Sequence, residues 1–372
     1  MSTTLIFNDT LKGHRLEYFH HLYVGACEKT DTSFVFSYPE SDKDLLKEYD
    51  WPEHQHIKMV SMPSFPEGGG LRDIWKKNKV LSGMVKSIKP SRVILIDVMG
   101  HLPFLPLLVR KTKVYGVIYG IYLYTWKQDP FRVRVAHIFK YFIFSRFPVF
   151  DKIFIQSDSS AAAKLNTLYH TRKFQYICDP IVPIDKSNIK DIREELKIPI
   201  EKKIVLHPGD LSRRKGTIAL LKGLVECSSE ILDNYYFIFA GRVSSQCKNE
   251  FADLFNKIKE KTKNIQLIEG FLSFDYLGSL ICTSDILFIP YQLTNQSSGI
   301  VSYAAEFSKP AIVTKEGLLG KIVKKNHLGI VIKDSSPTSI KKILKEGINW
   351  SPSENLFIES NSVKEFYTTL YC

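Results

Sequence analysis

A small polar loop in the last third of the chain has the composition of an anion-binding turn. Residues 295–299 read Asn-Gln-Ser-Ser-Gly and precede an apolar segment of small residues, 300–307. Ser297 or Ser298 would serve as a helix N-cap, and Gly299 lets a ligand approach the backbone without a side chain in the way. A helix that begins there presents free N–H groups and the positive end of its dipole, which favours a phosphate. An ordinary capped helix is the alternative that this loop alone leaves open.

A second loop in the same half of the chain adds positive charge. Residues 208–216 read PGDLSRRKG, so Arg213, Arg214 and Lys215 stand together directly before Gly216. Cations combined with the amides of a helix start are groups that bind a diphosphate. The sequence contains no GxxxxGK[ST] motif, which excludes a P-loop nucleotide hydrolase. It also lacks GxGxxG after the first strand, which disfavours a dinucleotide-dependent dehydrogenase.

Both loops follow short apolar runs that read as strands, 203–207 and 286–289, and both precede segments that read as helices. Because the carboxyl ends of parallel strands meet at one edge of a sheet, the two loops are expected to face one cleft. The first half repeats the alternation, with strands predicted at 4–7, 33–38, 93–97, 113–119, 152–156 and 174–178. We therefore predict an α/β protein of two doubly wound, parallel-sheet (Rossmann-like) domains facing a cleft.

The length of the chain predicts two domains. Its 372 residues exceed what one compact core usually holds. The segment 179–188 contains Pro180 and Pro183 and reads as a linker. We expect an amino-terminal domain over 1–182, a carboxyl-terminal domain over 183–350, and a tail over 351–372 that packs back on the first domain.

Composition limits the class of protein. With 44% hydrophobic and 24% charged residues the chain has the make-up of a globular protein, and no apolar run reaches the ~20 residues that span a bilayer. The amino terminus lacks a basic segment followed by an apolar stretch, so no secretory signal is expected. Six scattered cysteines without a CxxC pair favour the reducing cytoplasm and argue against zinc or disulfides.

The net charge of +12 indicates an anionic partner. No helix-turn-helix, RNA-binding or zinc-finger signature is present, so nucleic acid is not expected. The segment 131–150 combines four cations with seven aromatic residues and contains no acid. Such a helix suits an anionic membrane surface, with rings at the headgroup level and cations on the lipid phosphates. A buried helix with a basic solvated edge is the alternative.

The order of motifs in the second half resembles a known family. A strand followed by PGDLSRRKG and a helix, then FIFAGR, IQLIEGFLSFDYLGSLICTSDILFIPY and SSGIVSYAAEFSKPAIVT, is similar to the carboxyl-terminal half of a GT-B glycosyltransferase of family 4, the glycosyl transferases group 1. The resemblance covers roughly residues 203–335. In the first half, DKIFIQSDSSAAAKL is similar to the last strand and helix of the family's amino domain. The resemblance implies a GT-B enzyme with a nucleotide-sugar donor between its domains.

The resemblance also assigns donor-binding residues. Lys215 matches the family lysine that contacts the donor diphosphate. The arginine usual five positions earlier is Asp210 here, which leaves Arg213 or Arg214 as substitutes. The start of the helix at 298–300 matches the amides that hold the distal phosphate. The full set expected to contact the donor is Gly209, Arg213, Lys215, Gly241, Gln296, Ser297, Ser298, Gly299 and Ile300.

Two carboxylates of the family are missing. The family tends to have two glutamates eight residues apart, one for the transferred sugar and one for the ribose, and these positions fall on Gln296 and Ala304. Glu306 lies two residues farther on, about 200° around the helix, and is not expected to replace the second. The nucleotide is therefore open, and UDP- or GDP-sugars are the expected donors.

The acceptor side has fewer matching residues. The family often places a histidine near the transferred sugar after a strand like 113–118, where this chain has Tyr119. His101 and His14 follow other strand ends and are alternatives, although His14 also reads as a plain surface residue. We expect Gly13, His14 and Tyr119 on the acceptor side. Lys215, Arg214 and His101 are the predicted catalytic residues.

The activity implied by the resemblance is hexosyl transfer with retention at the anomeric carbon. No metal is expected, since no DxD-like motif occurs in either loop, and no cofactor besides the donor. The basic charge favours a glycan or polyprenyl-diphosphate-linked acceptor in bacterial capsule or O-antigen synthesis, on a cytoplasmic enzyme peripheral to the inner membrane. The alternatives are a catalytically degenerate nucleotide-sugar-binding partner subunit, a sugar-phosphate epimerase or phosphorylase-like enzyme, and a periplasmic two-lobed binder, which the missing signal disfavours.

Overall fold

A computed structural model describes residues 2–66, 69–119, 130–292, 297–352 and 356–372. The chain divides into two compact units, one of residues 1–180 with 361–372 and the other of residues 181–360. The divisions thus fall at 180/181 and 360/361, where the sequence had suggested 182/183 and 350/351. The second difference arises because Phe357 is buried in a core of the second unit.

The first unit is built on a parallel sheet of seven strands. These are β1 Ser2–Phe7, β2 Thr32–Pro39, β3 Ile57–Met62, β4 Arg92–Leu95, β5 Lys113–Ile118, β6 Phe150–Gln156 and β7 Phe174–Ile177. They lie in the order β3-β2-β1-β4-β5-β6-β7. The helices between them are α1 His14–Cys27, α2 Leu71–Ile88, α3 Leu105–Leu108, α4 Phe131–Arg146 and α5 Ser159–Tyr169, with 3-10 turns at Glu40–Glu48 and Met99–His101. Strand order reverses between β1 and β4.

The second unit has a parallel sheet of six strands. These are β8 Lys203–Pro208, β9 Tyr235–Ala240, β10 Ile265–Ile268, β11 Ile286–Ile289, β12 Ala311–Thr314 and β13 Gly329–Ile332, in the order β10-β9-β8-β11-β12-β13. Its helices are α6 Thr217–Val225, α7 Ser229–Leu232, α8 Lys248–Lys259, α9 Phe274–Thr283, α10 Gly299–Glu306, α11 Leu318–Lys325, α12 Pro337–Glu346 and α13 Phe357–Ser360, with 3-10 turns at Lys186–Asn188 and Ser245–Cys247. The order reverses between β8 and β11.

Successive residues of each central strand enter cores on opposite faces of the sheet. In β1, Leu5 and Phe7 face one core and Ile6 faces the other. In β8, Val205 faces one core while Ile204 and Leu206 face the other. Strands that are apolar on both faces belong in a parallel sheet covered by helices on both sides. The predicted fold class, two doubly wound parallel-sheet α/β domains, is confirmed.

The last helix, α14 Val363–Tyr371, returns to the first unit and packs on α1. The Tyr371 hydroxyl donates to the Leu22 carbonyl, and the Tyr367 hydroxyl donates to the Glu28 carboxylate at 2.8 Å. Gly25 provides the room, because a Cβ there would overlap the Tyr367 ring. Among the described helices of both units, none combines the length and the apolar character needed to cross a bilayer.

The topology places the two predicted phosphate-binding loops side by side. β8 and β11 are paired neighbours, with Val205 opposite Ile286 and Leu206 opposite Leu287. Loop 209–216 leaves the carboxyl end of β8, and loop 290–298 leaves the carboxyl end of β11. A reversal of strand order opens a crevice at that edge, which is where ligands bind in open α/β sheets.

Candidate active site

Two glycines form the floor of the crevice in the second unit. Gly209 (φ 105°) and Gly241 (φ 140°) follow the neighbouring strands β8 and β9. The Gly209 N–H donates to the Ala240 carbonyl at 2.8 Å, and a Cβ on Gly241 would overlap the Gly209 carbonyl oxygen. Glycine is therefore required at position 241, because the two backbones pass too close for any side chain.

The two loops are fastened to each other through their backbones. Gly216 (φ 78°) lies against Pro290, whose carbonyl oxygen would be overlapped by a Cβ on the glycine. Next to this contact, the Gln292 N–H donates to the Arg214 carbonyl at 2.9 Å. Arg214 thus joins the loops through its main chain, and its side chain stays exposed.

Lys215 is the cation that the loop turns inward. Its ammonium Nζ lies over the ring of buried Tyr291, 5.1 Å from the centroid. A Cβ placed on Gly209 would lie 3.1 Å from the same Nζ. No acidic side chain of the described residues pairs with Lys215. The lysine is therefore held against an aromatic face with its charge available to a ligand.

Tyr291 also connects this cation to the serine loop. The Tyr291 hydroxyl and Ser298 Oγ are 3.2 Å apart. The Thr314 hydroxyl donates to the Tyr291 carbonyl at 3.1 Å, which fixes the tyrosine backbone to β12. The Tyr291 ring and hydroxyl thus bring Lys215 and Ser298 together, although these residues lie far apart in sequence.

The start of α10 is arranged as the sequence suggested. Ser298 is the N-cap residue in extended conformation, and among the described residues no side chain caps the helix. Among the described residues, a Cβ on Gly299 would meet only the Tyr303 ring, at 3.9 Å, so these residues leave the first amides open to a ligand. The Ile300 side chain is buried in the core, which leaves its amide as the group facing the loop. The predicted contact Gln296 lies outside the described residues.

The neighbouring arginine, Arg213, is already paired. Its guanidinium donates to the Glu250 carboxylate on α8, which also binds Lys222 Nζ at 2.9 Å. The hydrogen bond from Lys222 and the charges of both cations lower the pKa of Glu250. The structure therefore turns the Arg213 side chain toward Glu250, whereas no acidic side chain among the described residues pairs with exposed Arg214.

A buried histidine beneath the loop was not predicted from the sequence. His207 Nδ1 lies 2.8 Å from the Phe288 carbonyl and Nε2 lies 2.9 Å from the Thr217 hydroxyl. The carbonyl accepts only, so Nδ1 carries the proton and Nε2 accepts from Thr217. Burial, and to a lesser degree the charge of Lys215, lower the pKa of His207 to about 4. A neutral histidine thus joins β8, β11 and α6, and the signal for it was a polar residue in an otherwise apolar strand.

The helix α10 holds no carboxylate that could replace the missing glutamate pair. Ala304 is fully buried in the core. Both carboxylate oxygens of Glu306 accept the Ile184 N–H, at 3.1 and 3.3 Å. Burial raises the pKa of Glu306. In this structure Glu306 therefore fixes residue 184, a contact that the sequence did not predict.

The first unit carries a cluster of charges at its own reversal of strand order. Asp9 follows β1 and Asp97 follows β4, and the guanidinium of Arg15 on α1 pairs with both, at 3.2 Å to Asp9 Oδ1. Lys77 on α2 pairs with the other oxygen of Asp9. Burial opposes ionisation of Asp9, yet its pKa lies below the usual value because Lys77 and Arg15 are beside it. The cluster fixes two acidic and two basic side chains at the carboxyl edge of the sheet.

His101 lies inside this edge. It is buried and edge-on to Phe7, with ring centroids 5.7 Å apart. The Asn78 amide donates to the Ile74 and His101 carbonyls, so its oxygen faces His101 Nδ1 at 3.1 Å and accepts from it. Burial lowers the pKa of His101 to about 3. The ring is therefore neutral at pH 7, with its proton on Nδ1.

The residues predicted for the acceptor side occupy different environments. Tyr119 follows β5 and stacks on Tyr18, with centroids 5.5 Å apart, and burial raises its pKa well above the usual value. Gly13 is the N-cap of α1 with φ 63°, and a Cβ there would have no atom of the described residues within 4 Å. The His14 side chain is 86% exposed and lies 3.3 Å from the Glu17 carboxylate. Tyr119 thus packs against Tyr18 at the carboxyl edge of the first sheet, and His14 lies at the surface.

Comparison with known proteins identifies the family. Residues 188–361, nearly the whole second unit, match the family model "Glycosyl transferases group 1". Residues 188–361 therefore belong to the glycosyl transferases group 1 family. No curated protein matches the sequence at a significant level.

Solved structures similar to this glycosyltransferase have the GT-B fold. A glycosyltransferase from Rickettsia africae is 14% identical, with a TM-score of 0.65 over 99% of this chain and 91% of the other. WaaG, a glycosyltransferase involved in lipopolysaccharide biosynthesis, is 14% identical, with a TM-score of 0.63 over 99% and 95%. Anabaena HepE, in complex with UDP and glucose, is 12% identical, with a TM-score of 0.62 over 100% and 94%.

Proposed function

We propose that this glycosyltransferase moves a sugar from a UDP- or GDP-sugar to a glycan or a polyprenyl-diphosphate-linked acceptor, with retention at the anomeric carbon. The role we propose is bacterial surface polysaccharide synthesis, such as capsule or O-antigen. The HepE complex with UDP and glucose supports the donor class, and the involvement of WaaG in lipopolysaccharide biosynthesis supports the pathway class.

The observation that carries the proposal is Lys215 held over Tyr291 between Gly209 and Ser298. Lys215 has no acidic partner among the described residues. It borders the same crevice as the open start of α10. A diphosphate bound there would meet the Lys215 ammonium and the amides at 298–300. Removing one such donor to a developing negative charge typically costs about 2.7–4 kcal/mol in the transition state.

The transfer we propose needs no side-chain nucleophile. The acceptor hydroxyl oxygen forms the new bond to the anomeric carbon on the face that the leaving group vacates. The bond from that carbon to the distal phosphate oxygen breaks, the nucleoside diphosphate departs, and its phosphate oxygen takes the hydroxyl proton. Lys215, Arg214 and the α10 amides stabilise the leaving diphosphate. Orientation of the two reactants provides the rest of the rate acceleration.

For the acceptor we propose the carboxyl edge of the first sheet. Arg15 and Asp97 keep part of their surface in solvent there, and both ends of their pair are polar partners for sugar hydroxyls. Tyr119 and Gly13 lie on loops of the same edge. Buried, neutral His101 supports this edge through Asn78 and Phe7, and we propose for it a positioning role.

We further propose that helix α4 rests on an anionic membrane surface, as a peripheral contact on the inner face. Tyr141, Ile143 and Phe144 bury one side of the helix. The other side exposes the apolar residues Phe131, Val135, Ile138, Phe139 and Phe142. A patch of this kind marks an interaction site, and arginines at both ends of the helix suit anionic headgroups.

Turnover is the test of the proposed function. Wild-type protein would be incubated with a panel of UDP- and GDP-sugars and polyprenyl-diphosphate-linked acceptors, and release of nucleoside diphosphate measured. We expect release from one donor that depends on the acceptor, is lost in Lys215→Ala and persists in Lys257→Ala, an exposed lysine on α8. The anomeric configuration of the product by proton NMR tests retention, and an inverted product would contradict it.

A second candidate is a catalytically degenerate nucleotide-sugar-binding partner subunit. The observations that favour it are the buried Ala304 at the family's carboxylate position and Asp210 at its arginine position. This candidate predicts nucleotide binding that depends on Lys215 without turnover of any donor in the panel.

A further inference from the structure

A cavity lies at the edge of the first sheet that is opposite the carboxyl ends of its strands. It is lined by residues that precede β4, β5 and β6, and its volume is about 690 Å³. Pro106, Val109, Phe147 and Val149 supply apolar walls. The six residues of β5 separate this edge from the carboxyl edge by roughly 20 Å. The cavity is therefore distinct from the Asp9 and Asp97 cluster, and its volume is typical of a site for a small molecule.

The mouth of the cavity carries positive charge. Arg110, Lys111 and Lys113 are successive or near-successive lining residues with exposed side chains. Lys113 lies 3.5 Å from Asp151, whereas Arg110 and Lys111 pair with no acidic side chain in the described part of the chain. Two uncompensated cations above an apolar pocket complement a ligand with an anionic head and an apolar stem.

The exposed face of α4 leads to this cavity. The helix ends at Arg146, and the next residues, Phe147, Pro148 and Val149, line the pocket. Phe142 is exposed one turn before the end, with the Arg146 guanidinium 5.8 Å from its ring centroid. The apolar face of α4 therefore ends about one turn before the segment that lines the cavity.

We propose that this cavity binds the phosphate headgroup of an anionic membrane phospholipid. The phosphate lies between Arg110 and Lys111, and the glycerol and first methylenes lie against Val109 and Phe147. The inference rests on the proposed membrane contact of α4 and gives it a defined lipid site.

Vesicle binding tests the site with a charge-matched control. Arg110→Gln/Lys111→Gln and Lys43→Gln/Lys47→Gln each remove two exposed cations from the first unit, and the second pair lies in the 3-10 turn Glu40–Glu48. On phosphatidylcholine vesicles containing phosphatidylglycerol, we expect the first variant to bind about thirtyfold more weakly, since each basic residue near the surface contributes about 1 kcal/mol. The control variant should change less than threefold. Equal losses in both variants would overturn the site.

A soluble probe separates the pocket from the surface. Dihexanoyl-phosphatidylglycerol below its micelle concentration should shift amide resonances of residues 109–113 and 147–149 in wild-type protein. Ser91→Trp, which fills the cavity and keeps its charges, should abolish the shifts. Inorganic phosphate binding as tightly as the short-chain lipid would overturn the assignment to a lipid, and absence of lipid-induced shifts would overturn the cavity.

The lipid site in the cavity and the membrane contact of α4 are separate hypotheses, and an error in one gives a different result from an error in the other. Phe139→Ser/Phe142→Ser tests the exposed face of α4 alone. Loss of vesicle binding in that variant, with the Arg110/Lys111 variant unchanged, would leave the membrane contact in place and overturn the lipid site. All variants should keep the nucleotide response of wild-type protein, which shows that they fold.

Discussion

The Lys215 ammonium lies 5.1 Å from the centroid of the Tyr291 ring, and the hydroxyl of the same tyrosine lies 3.2 Å from Ser298 Oγ. One buried aromatic side chain therefore positions both halves of the proposed diphosphate site. Tyr291 occurs in the stretch "IPYQ", which begins at the last residue of β11, and its backbone is also fixed there by Thr314.

Substitutions of Tyr291 should separate its two contacts. Tyr291→Phe keeps the ring under Lys215 and removes the hydroxyl, so we expect nucleotide affinity to fall about threefold to tenfold. Tyr291→Leu removes the ring as well and should cost a further 0.5–2 kcal/mol, or roughly threefold to thirtyfold. Isothermal titration with the nucleotide measures both. Equal affinity in wild-type and Tyr291→Leu would contradict the role of the ring.

The two adjacent arginines should differ in their effect on the donor. Arg213 pairs with Glu250, and Arg214 has no acidic partner among the described side chains. We expect Arg214→Gln to weaken nucleotide binding about tenfold, as befits a charge-assisted hydrogen bond. Arg213→Gln should weaken it less than threefold. The reverse order of the two dissociation constants would show that Arg213 leaves Glu250 for the ligand.

The glycine floor predicts a contrast between two alanine substitutions. Gly241 (φ 140°) and Gly270 (φ 141°) have nearly the same φ, but a Cβ at 241 overlaps the Gly209 carbonyl, whereas a Cβ at 270 has no atom of the described residues within 4 Å. Gly270→Ala should cost about 1–3 kcal/mol from strain alone. Gly241→Ala should cost more and should also impair nucleotide binding, because Gly209 must move. Thermal denaturation with and without nucleotide compares them, and equal losses would contradict the close approach.

The acid sensitivity of the second unit should depend on His207. The pKa of His207 is about 4 in the folded protein against 6.5 for an ordinary histidine, because the ring is buried. Below pH 6.5 the unfolded chain binds the proton more readily, so stability is full above that pH and falls as pH drops toward 4. The loss is on the order of 3 kcal/mol. His207→Asn should be less stable at pH 7 but lose less between pH 7 and 5, and an unchanged slope would contradict this account.

Glu306 should prove structural rather than catalytic. Its carboxylate accepts the Ile184 N–H. Glu306→Ala leaves that N–H without its acceptor and should destabilise the second unit by about 1–3 kcal/mol. Nucleotide affinity should remain within threefold of wild type. Loss of turnover in Glu306→Gln with unchanged stability would show instead that this carboxylate acts on the substrate.

The fold could be predicted because the central strands of both sheets are short runs that are apolar on both faces and alternate with helices. The edge strand β3 was missed, since only Ile57 and Met62 of its six residues are buried and the alternation is weak. Helix α8 was also missed, although Phe251, Phe255 and Ile258 have helical spacing and face the core.

The site was only partly visible in the sequence. The cations at 213–215 and the serine loop are local motifs, so their order along the chain was sufficient to place them at strand ends. Their partners were not visible, because Glu250 lies 37 residues from Arg213 and Glu306 lies 122 residues from Ile184. Which arginine pairs with Glu250, and what the half-buried carboxylate of Glu306 holds, follow from tertiary contacts rather than from local pattern.

The most direct test of the donor site is a thermal shift measurement with UDP, GDP, CMP and ADP on wild-type protein, Lys215→Ala and the control Lys257→Ala. A nucleotide at 100 times its dissociation constant should stabilise the protein by about 2.7 kcal/mol. We expect one uridine or guanosine nucleotide to stabilise wild-type and Lys257→Ala and to leave Lys215→Ala unchanged. Folded wild-type protein that responds to none of the four nucleotides, or a Lys215→Ala variant that responds like wild type, would contradict the site.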